Sequence, residues 1–281
     1  MSAIVTFENV DFSFPDMSGI SKDGWVTIFE NISFTIEKEQ IVGLVGKSGC
    51  GKTTLGKLLV NYFSLNNEIY QSSGKVYYHE NKNAYDITSL VYRRKYKIQP
   101  IQIIFQDPKI SLNMEMKVYD QLKEAILTKK KLNRQTTKDT VFNLAKQFKI
   151  DEKLESIPRN LSGGERRRLG LAKIIATEPK VIIADEPVAS LDVSIKYDIM
   201  EIILGLKKRD CTIVIISHDI NLIKKHADII YVMDEGTLVE QWDPSQDPNH
   251  STTIQLLKDS EEINAPLANL VLTQSDRNTS A

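Results

Sequence analysis

Residues Gly46-Lys47-Ser48-Gly49-Cys50-Gly51-Lys52-Thr53 follow the spacing G-x-x-x-x-G-K-[ST], which suits a polyphosphate. The glycines let successive amide N–H groups converge on phosphate oxygens. A helix starting at the end of this loop aims its positive N-terminus at the same anion. Lys52 then neutralises β- and γ-phosphate oxygens, Thr53 offers a hydroxyl to Mg²⁺, and Thr54 continues the cradle. In 281 residues chance produces this pattern about once in a hundred chains. A glycine-rich surface turn with a lysine is the competing reading, but it leaves the placement between an apolar strand and a helix unexplained.

Asp185-Glu186 ends the apolar run Val181-Ile182-Ile183-Ala184. Alone, the pair reads as a strand terminus with a helix cap. Beside a phosphate loop it reads as catalytic, because parallel strands bring their C-terminal ends to a nucleotide. We expect this strand to lie next to the phosphate-loop strand. Asp185 then holds Mg²⁺ through water, and Glu186 orients and deprotonates the attacking water.

Leu161-Ser162-Gly163-Gly164-Glu165 precedes an apolar-periodic helix. A capping box accounts for Ser162 and Glu165, but not for two glycines costing up to about 1 kcal/mol each in helix propensity. A ligand approaching the backbone accounts for them. Ser217-His218-Asp219 does not form a hydrolase triad, because adjacent residues cannot converge as a triad must; Asp219 caps the next helix.

The elements that must place these groups follow from periodicity. Residues 4–14 and 28–36 alternate as half-buried strands, joined by a loop at 19–24. The continuous apolar run 41–45 is a strand buried on both faces. Further strands are expected at 101–105, 181–184 and 212–216, and helices at 53–62, 165–176 and 194–207. That alternation predicts a parallel sheet covered on both sides. Residues 118–154 are helix-prone and charged, a helical insert. After Trp242 the chain turns polar, predicting a peripheral helix and a loose end.

A formal net charge of -1 gives no field to recruit nucleic acid or anionic lipid. Lys129-Lys130-Lys131 and Arg166-Arg167-Arg168 read as solvated helix faces. Cys50 and Cys211 have neither disulfide-framework nor zinc spacing. The N-terminal residues lack signal-peptide character, and no apolar run nears the ~18 residues that cross a bilayer. Any membrane role is expected to run through a partner.

Six ordered elements together resemble the ATP-binding-cassette family over about residues 3–258. They are the loop at 46–53, Gln106 in Ile-Ile-Phe-Gln-Asp-Pro, the stretch at 161–165, Asp185-Glu186, Ser190-Leu191-Asp192, and His218. The resemblance implies an α/β fold with a P-loop NTPase, RecA-like parallel-sheet core. An N-terminal antiparallel β subdomain and a family-specific helical subdomain would be added to it. The ATPase domain would span 1–245, with the core at about 1–105 and 165–245, the helical subdomain at about 107–164, and a tail at 246–281. It also implies two ATPases paired head to tail, each signature helix touching the nucleotide of the other. Ser162, Gly163 and Gly164 would meet the partner's ATP, and Asp192 would cross the seam. Gln106 would sense Mg²⁺ and the attacking water while coupling to a transmembrane partner, and His218 would touch the γ-phosphate. Phe14 would stack on the base, with Phe12 as alternative and a core role open for both. ATP rather than GTP follows from the resemblance, since an aromatic ring stacks on either purine.

Asp107-Pro108-Lys109-Ile110-Ser111-Leu112-Asn113, Asp185-Glu186-Pro187-Val188 and Leu191-Asp192-Val193-Ser194 look like the oligopeptide, dipeptide and nickel importers. Ala189-Ser190, Glu165 and Ser251-Thr252 depart from that group's pattern. Its cysteine cluster is missing from the tail, so the chain is similar to the subunit of the pair that lacks one. The expected partners are two transmembrane permease subunits, a second, non-identical ATPase and, indirectly, an extracytoplasmic substrate-binding protein, on the cytoplasmic membrane face. Nucleic acid is not among them. The alternatives are a soluble ATPase acting on DNA or ribosomes, and a module that holds ATP without hydrolysing it.

Overall fold

The computed structural model describes residues 2–19, 21–65, 68–96, 99–189 and 193–261. In chain order the elements begin β1 (Ala3–Pro15), β2 (Trp25–Glu37), β3 (Ile41–Gly46), α1 (Lys52–Leu59), α2 (Tyr62–Leu65), β4 (Gln71–Glu80), β5 (Asn83–Asp86) and α3 (Leu90–Lys95). Next come β6 (Ile101–Ile104), α4 (Val118–Lys129), α5 (Arg134–Gln147), α6 (Gly163–Ala176), β7 (Val181–Asp185) and α7 (Val193–Leu204). The last are β8 (Thr212–Ser217), α8 (Ile220–Lys224), β9 (Ile229–Asp234) and β10 (Thr237–Trp242), then α9 (251–261).

Two sheets organise the chain. The larger runs β10-β9-β3-β8-β7-β6. Its strands pair in parallel except at the edge, where β10 pairs antiparallel with β9. Alternation explains why its central strands read as unbroken apolar runs. Ile41 and Val45 of β3 and Ile182 and Ala184 of β7 enter one core. Val42, Leu44, Val181 and Ile183 enter the other. With a core on each face, no position is left for a polar residue until the strand ends.

The smaller sheet, β2-β1-β4-β5, is wholly antiparallel and forms the expected N-terminal β subdomain. Asn9 and Asn31 adopt left-handed φ of 50° and 51° where the β1–β2 register slips. Ser33 Oγ and Asp11 Oδ1 accept their N–H groups at 2.8 and 2.7 Å. Such bulges bend long strands.

Three sequence expectations change. The helix predicted at 53–62 ends at Leu59 and resumes as α2, because Asn61 takes φ 57°. The Asp185 strand is not next to the phosphate-loop strand: β8 lies between β7 and β3. Third, β4, β5, β9 and β10 are strands that the periodicity did not reveal. The expected insert at 118–154 is present as α4, α5 and a 3₁₀ turn.

The C-terminal part is firmly attached as far as it is described. On α9, Thr253 and Leu256 are buried. Thr252 donates to Asp234 at 2.8 Å and Ser260 to Asp219 at 3.1 Å. The expected loose end, 262–281, lies outside the described residues. No helix among the described residues is long and apolar enough to cross a membrane.

Candidate nucleotide site

The site forms where β3, β7 and β8 end. Gly46 closes β3 in a position only glycine can fill: an added Cβ would sit 2.2 Å from the Met233 carbonyl oxygen of β9. The loop that follows returns the chain into α1 through Gly51, at φ 103°. Gly56 lets α1 lie flat across the sheet, since a Cβ there would meet Ile216 at 2.8 Å and Ile183 at 3.3 Å. These residues belong to β8 and β7, so α1 spans the intervening strand and still delivers Thr53 to Asp185. Thr53 Oγ1 donates to Asp185 Oδ1 at 2.9 Å.

Lys52 curls over its own loop. Its Nζ donates to the carbonyls of Gly46 and Lys47, both at 2.8 Å. Neutral acceptors leave its charge for an incoming anion. Cys50 is buried under the loop, its Sγ 3.6 Å from Lys52 Nζ.

Asp185 is buried. Burial pushes its carboxyl above the usual range and Glu186 adds to that, while the Thr53 hydrogen bond, Lys57 and Lys52 pull the other way. A divalent cation beside it would supply the compensating charge. Thr53 and Asp185 are hard oxygen donors, suited to Mg²⁺. Among the described residues no group of three or more His, Cys, Asp and Glu could hold a metal by itself. A cation held by Thr53 and Asp185 would complete its shell with phosphate and water.

Glu186 occupies a left-handed backbone position, φ 45°, fixed by its N–H donating to Ile216 at 2.9 Å. Its Oε1 accepts the His218 N–H at 3.0 Å and lies 2.7 Å from His218 Nδ1. Ser217 Oγ donates to its Oε2 at 3.4 Å. Glu186 and His218 therefore form one unit, which neighbouring β7 and β8 bring together. Asp219 caps α8 as expected, accepting the Leu222 N–H at 3.0 Å. Gln106 is exposed, two residues past β6, which pairs with β7 through Ile104 and Ala184.

At the start of α6 the capping box is present: Ser162 Oγ accepts the Glu165 N–H at 3.2 Å, and Glu165 Oε2 accepts the Ser162 N–H at 2.7 Å. An added Cβ on Gly163 would have nothing within 4 Å, whereas one on Gly164 would meet Ile195 at 3.3 Å. Among the described residues, Gly163 thus has no packing reason to be glycine. Phe12 is fully buried and belongs to the core. Phe14 is half-buried, its ring edge-on to Phe12 and Phe63 at 5.0 and 5.4 Å. Asp192 lies outside the described residues.

Arg167 corrects the sequence reading. It is not on a solvated face but is 3% exposed. Its guanidinium donates to the carbonyls of Pro187 at 2.8 Å, Glu186 at 3.0 Å, Phe105 at 3.3 Å, and Gln106. A signal was available: Arg167, Leu171, Ile174 and Ile175 fall at i, i+4, i+7 and i+8, one buried stripe of α6.

A phosphate loop on a parallel strand, with a hydrogen-bonded hydroxyl–carboxylate pair and a histidine-held carboxylate at its rim, defines a P-loop nucleoside triphosphatase. Residues 29–189 match the ABC transporter family. The chain belongs to that family and is an ATP-hydrolysing enzyme. The oligopeptide transport ATP-binding protein OppF of Streptococcus mutans is 34% identical over 243 residues, 84% of this chain and 74% of that protein. The dipeptide transport ATP-binding protein DppF of Escherichia coli is 32% identical over 245 residues, 85% of this chain and 70% of that protein. The solved structure of cbiO1 from Clostridium perfringens, part of the transporter complex cbiONQ, is 25% identical. It superposes with a TM-score of 0.70 over 98% of this chain and 100% of that one.

Proposed function

We propose that the chain is the ATPase of an importer for oligopeptides or dipeptides. It would work beneath two transmembrane permease subunits and beside a second, non-identical ATPase, at the cytoplasmic membrane face. The convergence of Lys52, Thr53, Asp185, Glu186 and His218 at the strand ends carries the enzymatic part. The relatives named for oligopeptide and dipeptide transport support the substrate class over DNA or ribosomes.

Lys52 exchanges the carbonyls of its own loop for β- and γ-phosphate oxygens, and the loop amides grip the rest. Bound Mg²⁺, held by Thr53 and by Asp185 through water, would neutralise charge on the transferring phosphate. Glu186, already aimed by His218, takes the proton of the attacking water. Gln106, from the neighbouring strand end, would meet the attacking water and the metal. Ser162, Gly163 and Gly164 complete the other ATPase's site, Asp192 spans the seam, and Phe14 stacks on the adenine. The ATPase body runs to about 245, with 246–281 as a tail whose first part, α9, packs back onto it.

The test is co-expression with candidate permeases and reconstitution into proteoliposomes supplied with a binding protein and labelled peptide. ATP-dependent peptide accumulation is expected. Assembly with nucleic acid or ribosomes, and with no multi-span protein, would overturn the transport reading.

A further inference from the structure

Among the described residues, Arg167 is a buried cation whose hydrogen-bond partners are all carbonyl oxygens, and those carbonyls belong to the two segments that carry Gln106 and Glu186. Nη1 holds Phe105 and Gln106, at the end of β6; Nη2 and Nε hold Glu186 and Pro187, beyond β7. The planar fork of a guanidinium can reach both segments at once with fixed geometry. Glu186 needs such support, because its backbone sits at φ 45°, a region costly to a non-glycine residue unless its surroundings hold it there. Ile216 holds its N–H end and Arg167 its carbonyl end. Lys173, two turns further along α6, holds the same connecting segment at Ser111, 2.9 Å away, and also meets Gln121 at 3.1 Å. Two cations of one helix therefore clamp residues 105–111 at both ends.

We propose that Arg167 is a positioning residue for hydrolysis: it sets Gln106 and Glu186 relative to each other and ties both to the signature helix. Arg167 lies about 6 Å along the helix from Gly163, at 1.5 Å per residue. A phosphate gripped at the N-terminus of α6 in the other ATPase's site therefore pulls on the clamp that aims this chain's own base. This rests on the proposed roles of Glu186, Gln106 and the signature stretch.

The experiment compares Arg167→Gln and Arg167→Lys with wild type in the assembled complex. Melting temperature, affinity for a fluorescent ATP analogue, and kcat and KM for ATP are measured. Arg167→Gln is expected to lower kcat at least tenfold with KM and analogue affinity within threefold, and Arg167→Lys to recover part of kcat. Combined with Gln106→Ala, the loss should be well short of the product of the separate losses, because both act on one constellation. An unchanged kcat, a kcat that merely follows the folded fraction, fully multiplicative losses, or failure of both variants to fold would each overturn the proposal. Peptide uptake is scored separately: a wild type that hydrolyses ATP but accumulates no peptide refutes the importer reading and leaves the Arg167 ratio intact.

Discussion

Replacing Gly163 by alanine separates a glycine kept for a ligand from one kept for the fold. Among the described residues, no atom beyond its chain neighbours and its own helix backbone lies within 4 Å of where the new Cβ would be, and Gly163 is not among the glycines with positive φ. It opens α6, where alanine is preferred by at most about 1 kcal/mol. At ~2–4 °C per kcal/mol for a domain near this size, the melting temperature should hold or rise by up to about 4 °C. Nucleotide affinity of the isolated chain should not change, since its own phosphate loop is untouched. If the Gly163 amide grips a phosphate across a subunit seam, however, a methyl group there displaces the phosphate by about 1 Å. A misplacement of that size costs roughly 10²-fold in rate. Differential scanning fluorimetry, analogue titration and steady-state hydrolysis by the assembled complex read the three quantities. Full turnover by Gly163→Ala would show that no phosphate rests against this glycine. Gly46→Ala is the opposite control: its Cβ would lie 2.2 Å from a backbone oxygen, and overpacking of that kind costs about 1–3 kcal/mol or more.

Three further outcomes are expected. Glu186→Gln should retain ATP and lose about 10²–10⁴-fold in turnover; equal turnover in single-turnover assays would assign the base elsewhere. Asp185→Asn should weaken Mg²⁺-dependent activity about 10–100-fold, read by metal titration. It should also stabilise the metal-free protein. A buried carboxyl raised above its usual range costs stability as pH climbs through that range, so the melting-temperature gap should widen from pH 4 to pH 8; a constant gap would contradict this. Maleimide labelling of Cys50 should be slowed severalfold by ATP, because the thiol is buried under the loop. Burial pushes the Cys211 thiol up to about 11, which keeps background labelling low; an ATP-independent rate would place the loop away from nucleotide.

Much of the site was legible because its chemistry is local in sequence. The loop at 46–53 and the Ser162/Glu165 box each set their geometry within a few neighbouring residues, and Asp185-Glu186 is an adjacent pair. What stayed hidden depends on long-range order. Nothing in 181–185 tells that β8 will slip between it and β3, because strand order is decided by crossovers. The β9–β10 hairpin turns at Glu235 and Gly236, with φ 43° and 79°, a turn without the Asn-Gly or Asp-Gly pair that marks such hairpins most clearly. Arg167 was lost among three consecutive arginines, although its position in the apolar stripe of α6 distinguished it.

In the proposed pair, the backbone opening α6 completes a nucleotide site that another ATPase begins. The most direct test of this is the structure of the assembled complex carrying Glu186→Gln, arrested with ATP and Mg²⁺. The amide nitrogens of Gly163 and Gly164 should stand within hydrogen-bonding distance of a γ-phosphate seated in the neighbouring subunit's loop. Closed complexes in which those amides face only solvent, with each triphosphate enclosed by a single chain, would show that the site is not shared between subunits.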